Sequence, residues 1–367
     1  MDIRKEIQSV LDAPSCYPEE ERKSREIREK EMLDWYEKYQ EVNVCYNLYG
    51  MDRVSSPPVD EWLDRGLFRK QRHEVNSRYF PAGSSFPYDY TLFMRDKWAF
   101  ECFMRSNFGS QPVYVSSFAV LMQGTLWKAN QEGSRTEISR NQLLNHFEGK
   151  KLVLKNTFGF GGSDIVIAEV LNGLVVREGK CCNLDTLIKE LSEPNSYWLI
   201  QDFIHQHPVI SKINESSVNT MRLLTYHSGE YVVSGKAVLR FGKKGSSVDN
   251  SDMGGYFTSL DENGVIGADM FNFREKSRSI CPFAGLRIPF FADSVALAKE
   301  AHSCIPQLFT VGWDIVVTPD GPRILEGNDG WDPYLSQTPQ GNAQRRIWNT
   351  CLQERQRFIE RNIGEQR

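Results

Sequence analysis

Apolar and polar positions follow two regimes along this chain. From Pro18 to Gln40 the residues are densely charged, with Ile27, Met32, Leu33, Trp35 and Tyr36 as an apolar minority in a helical pattern. Both charge signs mix there, which reads as a solvated face with salt pairs. Ser55-Ser56-Pro57-Pro58 breaks regular structure, and a second helix is predicted from Val59 to Phe68. Residues 76–90 are rich in Ser, Pro, Gly and Tyr and read as a connecting loop. Trp98 to Arg105 has a helical pattern.

Beyond that point the chain is strand-rich. Val113 to Met122 alternates as a strand does. Lys151–Lys155, Asp164–Val170 and Tyr197–Ile204 are short apolar runs bounded by Gly, Asn or Pro. Thr220–Tyr226 and Tyr231–Phe241 flank His227-Ser228-Gly229-Glu230, a hairpin signal. A helix over Ala292–Leu308 precedes a last hairpin, Val311 to Glu326, and the tail from Gln340 is helical and charged. Helices interspersed among antiparallel hairpins predict an α+β fold.

Composition narrows the function classes. The 367 residues carry a net charge of −4 and a pI near 6.0, so no global field recruits nucleic acid or an anionic membrane. Glu residues interleave with the N-terminal Lys and Arg, which argues further against a nucleic-acid arm. No stretch approaches the roughly 20 apolar residues that span a bilayer. The N-terminus, Met1-Asp2-Ile3-Arg4-Lys5-Glu6, lacks the apolar segment of a secretory signal. The eight cysteines are scattered with no Cys-x-x-Cys pair, which reads as reduced structural thiols in a cytoplasmic protein, with no zinc site.

The segment Val311 to Asn328 carries the strongest chemical signal. Pro319-Asp320-Gly321 is a turn, since Pro pre-sets φ and Gly tolerates the backbone geometry needed after it. A hairpin centred on Asp320 puts Asp314 opposite Glu326, with Ile324, Glu326 and Asn328 on one face. Two facing carboxylates repel, and a hard cation such as Mg²⁺ removes that repulsion. The alternative is a surface hairpin with polar residues facing water, for which Ile315-Val316-Val317 and Ile324-Leu325 are very apolar.

Two further segments suit a nucleotide. Lys155 precedes Asn156-Thr157-Phe158-Gly159-Phe160-Gly161-Gly162-Ser163, a glycine loop between two strands. Its amides can approach phosphates as an anion nest, and the lysine adds a point charge. It is neither a Walker loop nor a Rossmann fingerprint, and a plain flexible turn is the alternative. The strand ending Gln201-Asp202-Phe203-Ile204 offers backbone groups and the Gln201 amide to an adenine edge. His205 and His207, followed by Pro208, read as loop residues touching a ribose or water rather than a metal.

These pieces, in this order, resemble the ATP-grasp superfamily. That likeness adds Lys97, in Asp96-Lys97, as a second phosphate lysine, and it runs from about residue 90 to 335. A closer resemblance is to the sugar-transfer-associated ATP-grasp subgroup. It is carried by Ser217-Val218-Asn219-Thr220-Met221-Arg222, Leu239-Arg240-Phe241-Gly242, Ser247-Val248-Asp249-Asn250 with Gly254-Gly255, and Val311-Gly312-Trp313-Asp314. Gln201 stands where the wider family often has Glu.

The resemblance implies two α+β lobes gripping MgATP, with Mn²⁺ able to replace Mg²⁺. The implied division is a helical region over 1–85, a small lobe with the glycine lid over 86–200, a large lobe over 201–340 and a C-terminal helix over 341–367. Lys97, Lys155, Gly159, Gly161, Gly162, Gln201, Asp202, Phe203, Ile204 and His207 would hold the nucleotide. Asp314, Glu326 and Asn328 would hold the metal. Arg222, Arg240 and Asn328 would be the catalytic residues, with Arg222 and Arg240 facing the transferring phosphoryl group or the acyl phosphate, although each arginine could instead simply pair with an acid. The loop Gly242–Gly255, with Asp249 and Asn250, would order over the acceptor, help place the metal, or only be mobile. The implied reaction phosphorylates a small-molecule carboxylate and passes it to an amine or thiol, in polysaccharide or secondary-metabolite synthesis if the subgroup's label is a guide. A small-molecule kinase and a nucleotide-binding scaffold are the alternatives. The N-terminal region would cap the cleft, form a homodimer or dock a partner.

Overall fold

The computed structural model describes residues 2–78, 89–129, 135–159, 165–192, 196–246, 249–341 and 343–362. Among them, fifteen strands form two sheets. The first contains β1 (Ser117–Met122), β2 (Thr125–Ala129), β3 (Arg135–Glu137), β4 (Lys151–Asn156), β5 (Ile165–Leu171), β6 (Leu174–Arg177), β7 (Lys180–Cys182) and β8 (Tyr197–Asp202). Its order is β3-β2-β1-β8-β4-β5-β6-β7. The second contains β9 (Thr220–His227), β10 (Val232–Phe241), β11 (Tyr256–Leu260), β12 (Ile266–Asn272), β13 (Ser277–Ile280), β14 (Thr310–Thr318) and β15 (Gly321–Asn328). Its order is β13-β12-β11-β10-β9-β14-β15. Strand neighbours run antiparallel in both sheets, so the fold is α+β as the hairpin pattern predicts.

Alternation decides which face each sheet turns to the site. Leu152, Leu154, Trp198 and Ile200 point to a core closed by helices Arg140–Phe147 and Leu184–Leu191. Val153, Lys155 and Gln201 take the opposite face. In the second sheet Met221, Leu223, Trp313, Ile315 and Val317 pack with helices Lys97–Phe108 and Phe291–Ser303. Arg222, Arg240 and Asp314 therefore point the other way.

That other face is shared with residues 2–78, whose charge pattern conceals a core. Met32 and Trp35 of the helix Arg25–Tyr39 are buried with Val238, Phe257, Phe271, Tyr334 and Leu335. Phe68 and Val75 join Leu224, Tyr226, Trp331 and Trp348. The helix expected over Val59–Phe68 is interrupted: a short 3₁₀ turn ends at Glu61, and Trp62 and Leu63 turn into the core. Asp64 then starts the helix Arg65–Ser77 by accepting from the Leu67 N–H at 2.8 Å.

The run Val113–Met122 also divides. Gln123 and Gly124 both take positive φ and close the β1–β2 hairpin, whereas Val113 and Val115 hydrogen-bond Ile324 on the edge of the second sheet. One apolar run thus serves both sheets. None of the eight cysteines is bonded to another. No helix among the described residues is long and apolar enough to cross a membrane.

Gly327 shows how tightly the last hairpin is packed. A Cβ there would collide with the Met94 sulfur and lie 3.2 Å from Cζ3 of Trp313. Gly327→Ala is expected to destabilise the protein by about 1–3 kcal/mol, measured by urea unfolding. An unchanged midpoint would mean that Met94 yields freely.

Candidate active site

The two sheets face each other across a cavity of about 400 Å³, within the usual range for a small-molecule site. Val153, Lys155, Ile165, Ile167 and Gln201 line it from the first sheet. Thr220, Arg222, Arg240, Asp314, Leu325, Glu326 and Asn328 line it from the second. Lys97, Gly159 and the segment Asp202–Ile204 complete one end; Met94, Arg95, Trp331, Asp332 and Tyr334 form part of the other wall.

The last hairpin sets the charged floor. Asp314 lies opposite Glu326, as the sequence predicts, but the path there differs. Thr318 pairs with Gly321, so the turn is tighter than one centred on Asp320. The register then slips between Asp314 and Ile315, with Leu325 as the extra residue. Ile324 consequently turns into the core with Ile315, away from Glu326 and Asn328, while Leu325 lines the cavity. The expected common face of Ile324, Glu326 and Asn328 is corrected by this bulge.

Asp314 is held on both oxygens by guanidinium groups. Arg222 donates from Nε at 2.5 Å and from Nη2 at 2.9 Å, and Arg240 donates from Nη1 at 3.1 and 3.0 Å. Burial opposes ionisation of Asp314, but Arg222 and Arg240 outweigh it and hold the carboxyl well below the usual range. Glu326 is pushed up by burial and by the ionised Asp314 beside it. The Asn328 amide nitrogen lies 3.4 Å from an oxygen of each acid.

Two carboxylates and one side-chain amide form an oxygen-only set. Among the described residues, no cluster of three or more His, Cys, Asp or Glu side chains is suited to a metal. Mg²⁺ asks for less, one or two carboxylates plus nucleotide phosphates, and it would relieve the repulsion raising Glu326. The residues fit such an ion, with Asn328 presenting its amide oxygen after a flip.

Lys97 and Lys155 both line the cavity. Asp96 caps the helix Lys97–Phe108 by accepting from the Ala99 N–H at 2.6 Å, which fixes Lys97 as the first helical residue. The Lys97 ammonium donates to the Gly159 carbonyl. Lys155 leaves β4 on the cleft face, and burial lowers its pKa. Gly161 and Gly162 lie outside the described residues.

The segment Gln201–Ile204, expected to meet adenine, lines the cavity, with the Gln201 and Asp202 side chains engaged by the protein itself. The Gln201 Nε2 lies 3.3 Å from the Ser117 hydroxyl and 3.5 Å from the Val115 carbonyl. The Asp202 carboxylate turns to His146, 3.3 Å away. His207 does not line the cavity: its Nδ1 accepts from the Val209 N–H at 3.2 Å and caps the turn that Pro208 begins. Sequence reasoning assigned no role to Thr220 or Leu325, and only a loose one to Asp249. Thr220 was recoverable, because it lies two residues before Arg222 on one strand face. Asp249 accepts from Thr220 and from Arg240, the latter at 3.2 Å.

Two antiparallel sheets closing on a cleft of paired acids and lysines define an ATP-grasp protein. The chain belongs to the sugar-transfer associated ATP-grasp family, whose model matches residues 117–350. Among solved structures, it is similar to D-alanine--D-alanine ligase from Bacillus anthracis, with 12% identity, a TM-score of 0.41, and coverage of 73% of this chain and 69% of that one. It is similar to D-cycloserine synthetase, with 14% identity, a TM-score of 0.37, and coverage of 73% and 70%. It is also similar to N5-carboxyaminoimidazole synthase from Aspergillus clavatus, in complex with ADP and a ribonucleotide, with 11% identity, a TM-score of 0.34, and coverage of 67% of this chain but 50% of that one. No curated protein sequence matches the chain.

Proposed function

We propose that this chain is an ATP-dependent ligase that activates a small-molecule carboxylate as an acyl phosphate and transfers it to an amine or thiol. The observation that carries this reading is the facing pair Asp314 and Glu326 in one cleft with Lys97 and Lys155. A divalent cation would bridge such acids, and a polyphosphate would pair with such lysines. Adenine would enter between Val153, Ile165 and Ile167 on one side and Ile204, Val218 and Leu325 on the other. Lys97 and Lys155 would bind the α- and β-phosphates. Asp314, Glu326 and Asn328 would hold one or two Mg²⁺ ions, or Mn²⁺, which supply charge neutralisation on the phosphates.

The substrate carboxylate oxygen would attack the γ-phosphorus as the bond to the ADP oxygen breaks. The amine or thiol would then attack the acyl carbon, losing a proton as inorganic phosphate leaves. Arg222 and Arg240 line the same cleft and would face the negative charge that moves in both steps, so this chemistry would rest on positioning and electrostatics without a covalent enzyme intermediate.

Hydroxylamine trapping tests it. The purified chain with MgATP and a panel of carboxylates should release ADP and form a hydroxamate with at least one. A stable phosphorylated product with no hydroxamate would assign a kinase instead. If millimolar MgATP and MgADP leave thermal unfolding unmoved, the nucleotide site itself is refuted.

A further inference from the structure

Asp314 is asked to do two things that exclude each other. A metal ligand needs a free lone pair on a carboxylate oxygen, yet each Asp314 oxygen already accepts once from Arg222 and once from Arg240, so only the departure of a guanidinium opens one. The two arginines differ in what else holds them. Among the described residues, the Arg222 guanidinium donates only to Asp314, whereas the Arg240 guanidinium also donates to Asp249. Asp249 is itself fixed by the Thr220 hydroxyl.

The backbone around Asp249 is built to keep it there. The Gly255 N–H donates to the Asn250 carbonyl at 2.9 Å, and a Cβ on Gly255 would lie 2.5 Å from the Asp249 carbonyl oxygen. Gly254 takes a φ of +89°, and its carbonyl accepts from the Asn272 amide at 3.0 Å. The glycine pair thus lets the loop fold back and return Asp249 to the cleft. Arg222 has no comparable anchor; its Cδ stacks over Gly312, where a Cβ would come within 3.1 Å of it.

We propose that Arg222 and the divalent cation exchange on Asp314, and that Asp249 is the positioning residue that keeps Arg240 in place during the exchange. The proposal rests on the metal reading of Asp314 and Glu326. With the cation absent, the guanidinium groups neutralise Asp314. When the cation binds, Arg222 swings off Asp314 into the cleft as a free anion-binding group for the phosphoryl or acyl oxygens. Arg240 stays on Asp249. The positive charge that stabilises the reaction is then delivered only to a metal-loaded site.

Mn²⁺ titration of the full chain, followed by the electron paramagnetic resonance of the free ion, reads this without turnover. Arg222→Met removes the competing cation and should tighten Mn²⁺ binding on the order of tenfold in the absence of nucleotide, while Arg222→Lys should tighten it less. Asp249→Asn removes the anchor on Arg240 Nη2, which can then turn to the Asp314 oxygens that Arg222 vacates, and should weaken Mn²⁺ binding severalfold in a protein whose circular dichroism stays that of the wild type; unchanged or tighter binding would remove Asp249 from its positioning role. Looser or unchanged Mn²⁺ binding in Arg222→Met would overturn the exchange. If wild type with ADP binds no Mn²⁺, or Glu326→Gln binds it equally well, the metal reading has failed instead.

Discussion

Glu326→Gln is expected to make the nucleotide-free protein more stable and to abolish its response to MgADP. Burial and the neighbouring Asp314 both disfavour the Glu326 charge, and Lys97 and Lys155 do not fully offset them. A raised carboxyl pKa means that the folded state binds the proton more tightly than the unfolded chain. That contribution is present at low pH and is lost as pH rises through the folded pKa. Glutamine mimics the protonated form, so its advantage, on the order of 1 kcal/mol, should be larger at about pH 8 than at about pH 5. Wild type with MgADP at about 100 times its dissociation constant should gain roughly 2.7 kcal/mol, and the variant should gain almost none. Thermal unfolding with and without MgADP at both pH values measures all four quantities. A variant less stable than wild type at the higher pH would show that Glu326 serves the fold as an ion-pair partner.

The acids of this site were legible because two local signals agree: a Pro-Asp-Gly turn and strand alternation. The bulge at Leu325 was not, because a register slip is decided by what packs on each face and leaves no residue-type mark. Two departures cancelled, a tighter turn and one extra residue, so Asp314 still faces Glu326. The lysines were ordered by family likeness, and the cap from Asp96 supplies the local reason for the first.

The misplaced parts are tertiary. Val113–Val115 reads as the start of a long strand, but its hydrogen bonds go to an edge that only the assembled second sheet provides. The helices of residues 2–78 look solvated because their arginines dominate the pattern. Arg72 is nonetheless mostly buried, 3.5 Å from the Asp329 carboxylate, and Arg65 lies 2.6 Å from Asp332. Both acids flank cleft residue Trp331, so a region with no chemical motif of its own braces the far wall of the site. Histidine at 207 misled for a related reason: position near Gln201–Ile204 is visible in sequence, and the turn that uses its ring is not.

Acid should destabilise this protein through a pair of histidines that do not line the cleft. His302 is fully buried, with Nδ1 2.7 Å from the Thr225 hydroxyl and Nε2 3.0 Å from the Leu308 carbonyl. Burial, reinforced by nearby His227, pushes it down to about 3 from the ordinary 6.5. His227 accepts from the Gly229 N–H at 3.0 Å, and burial with Arg355 nearby pushes it down to about 4. Both folded values lie below the unfolded one, so the unfolded chain takes up protons first. The stability these residues allow is complete above 6.5 and falls as pH drops toward 4 and then 3. At about pH 5 each histidine should subtract roughly 2 kcal/mol, so the pair removes about 4 from a typical total of about 5–15 kcal/mol. His227→Asn keeps an acceptor for the Gly229 N–H and should remove about half of that acid loss. Urea unfolding at about pH 7.5 and about pH 5 checks both proteins. Equal acid sensitivity in wild type and variant would mean that His227 is charged, and solvated, in the folded state.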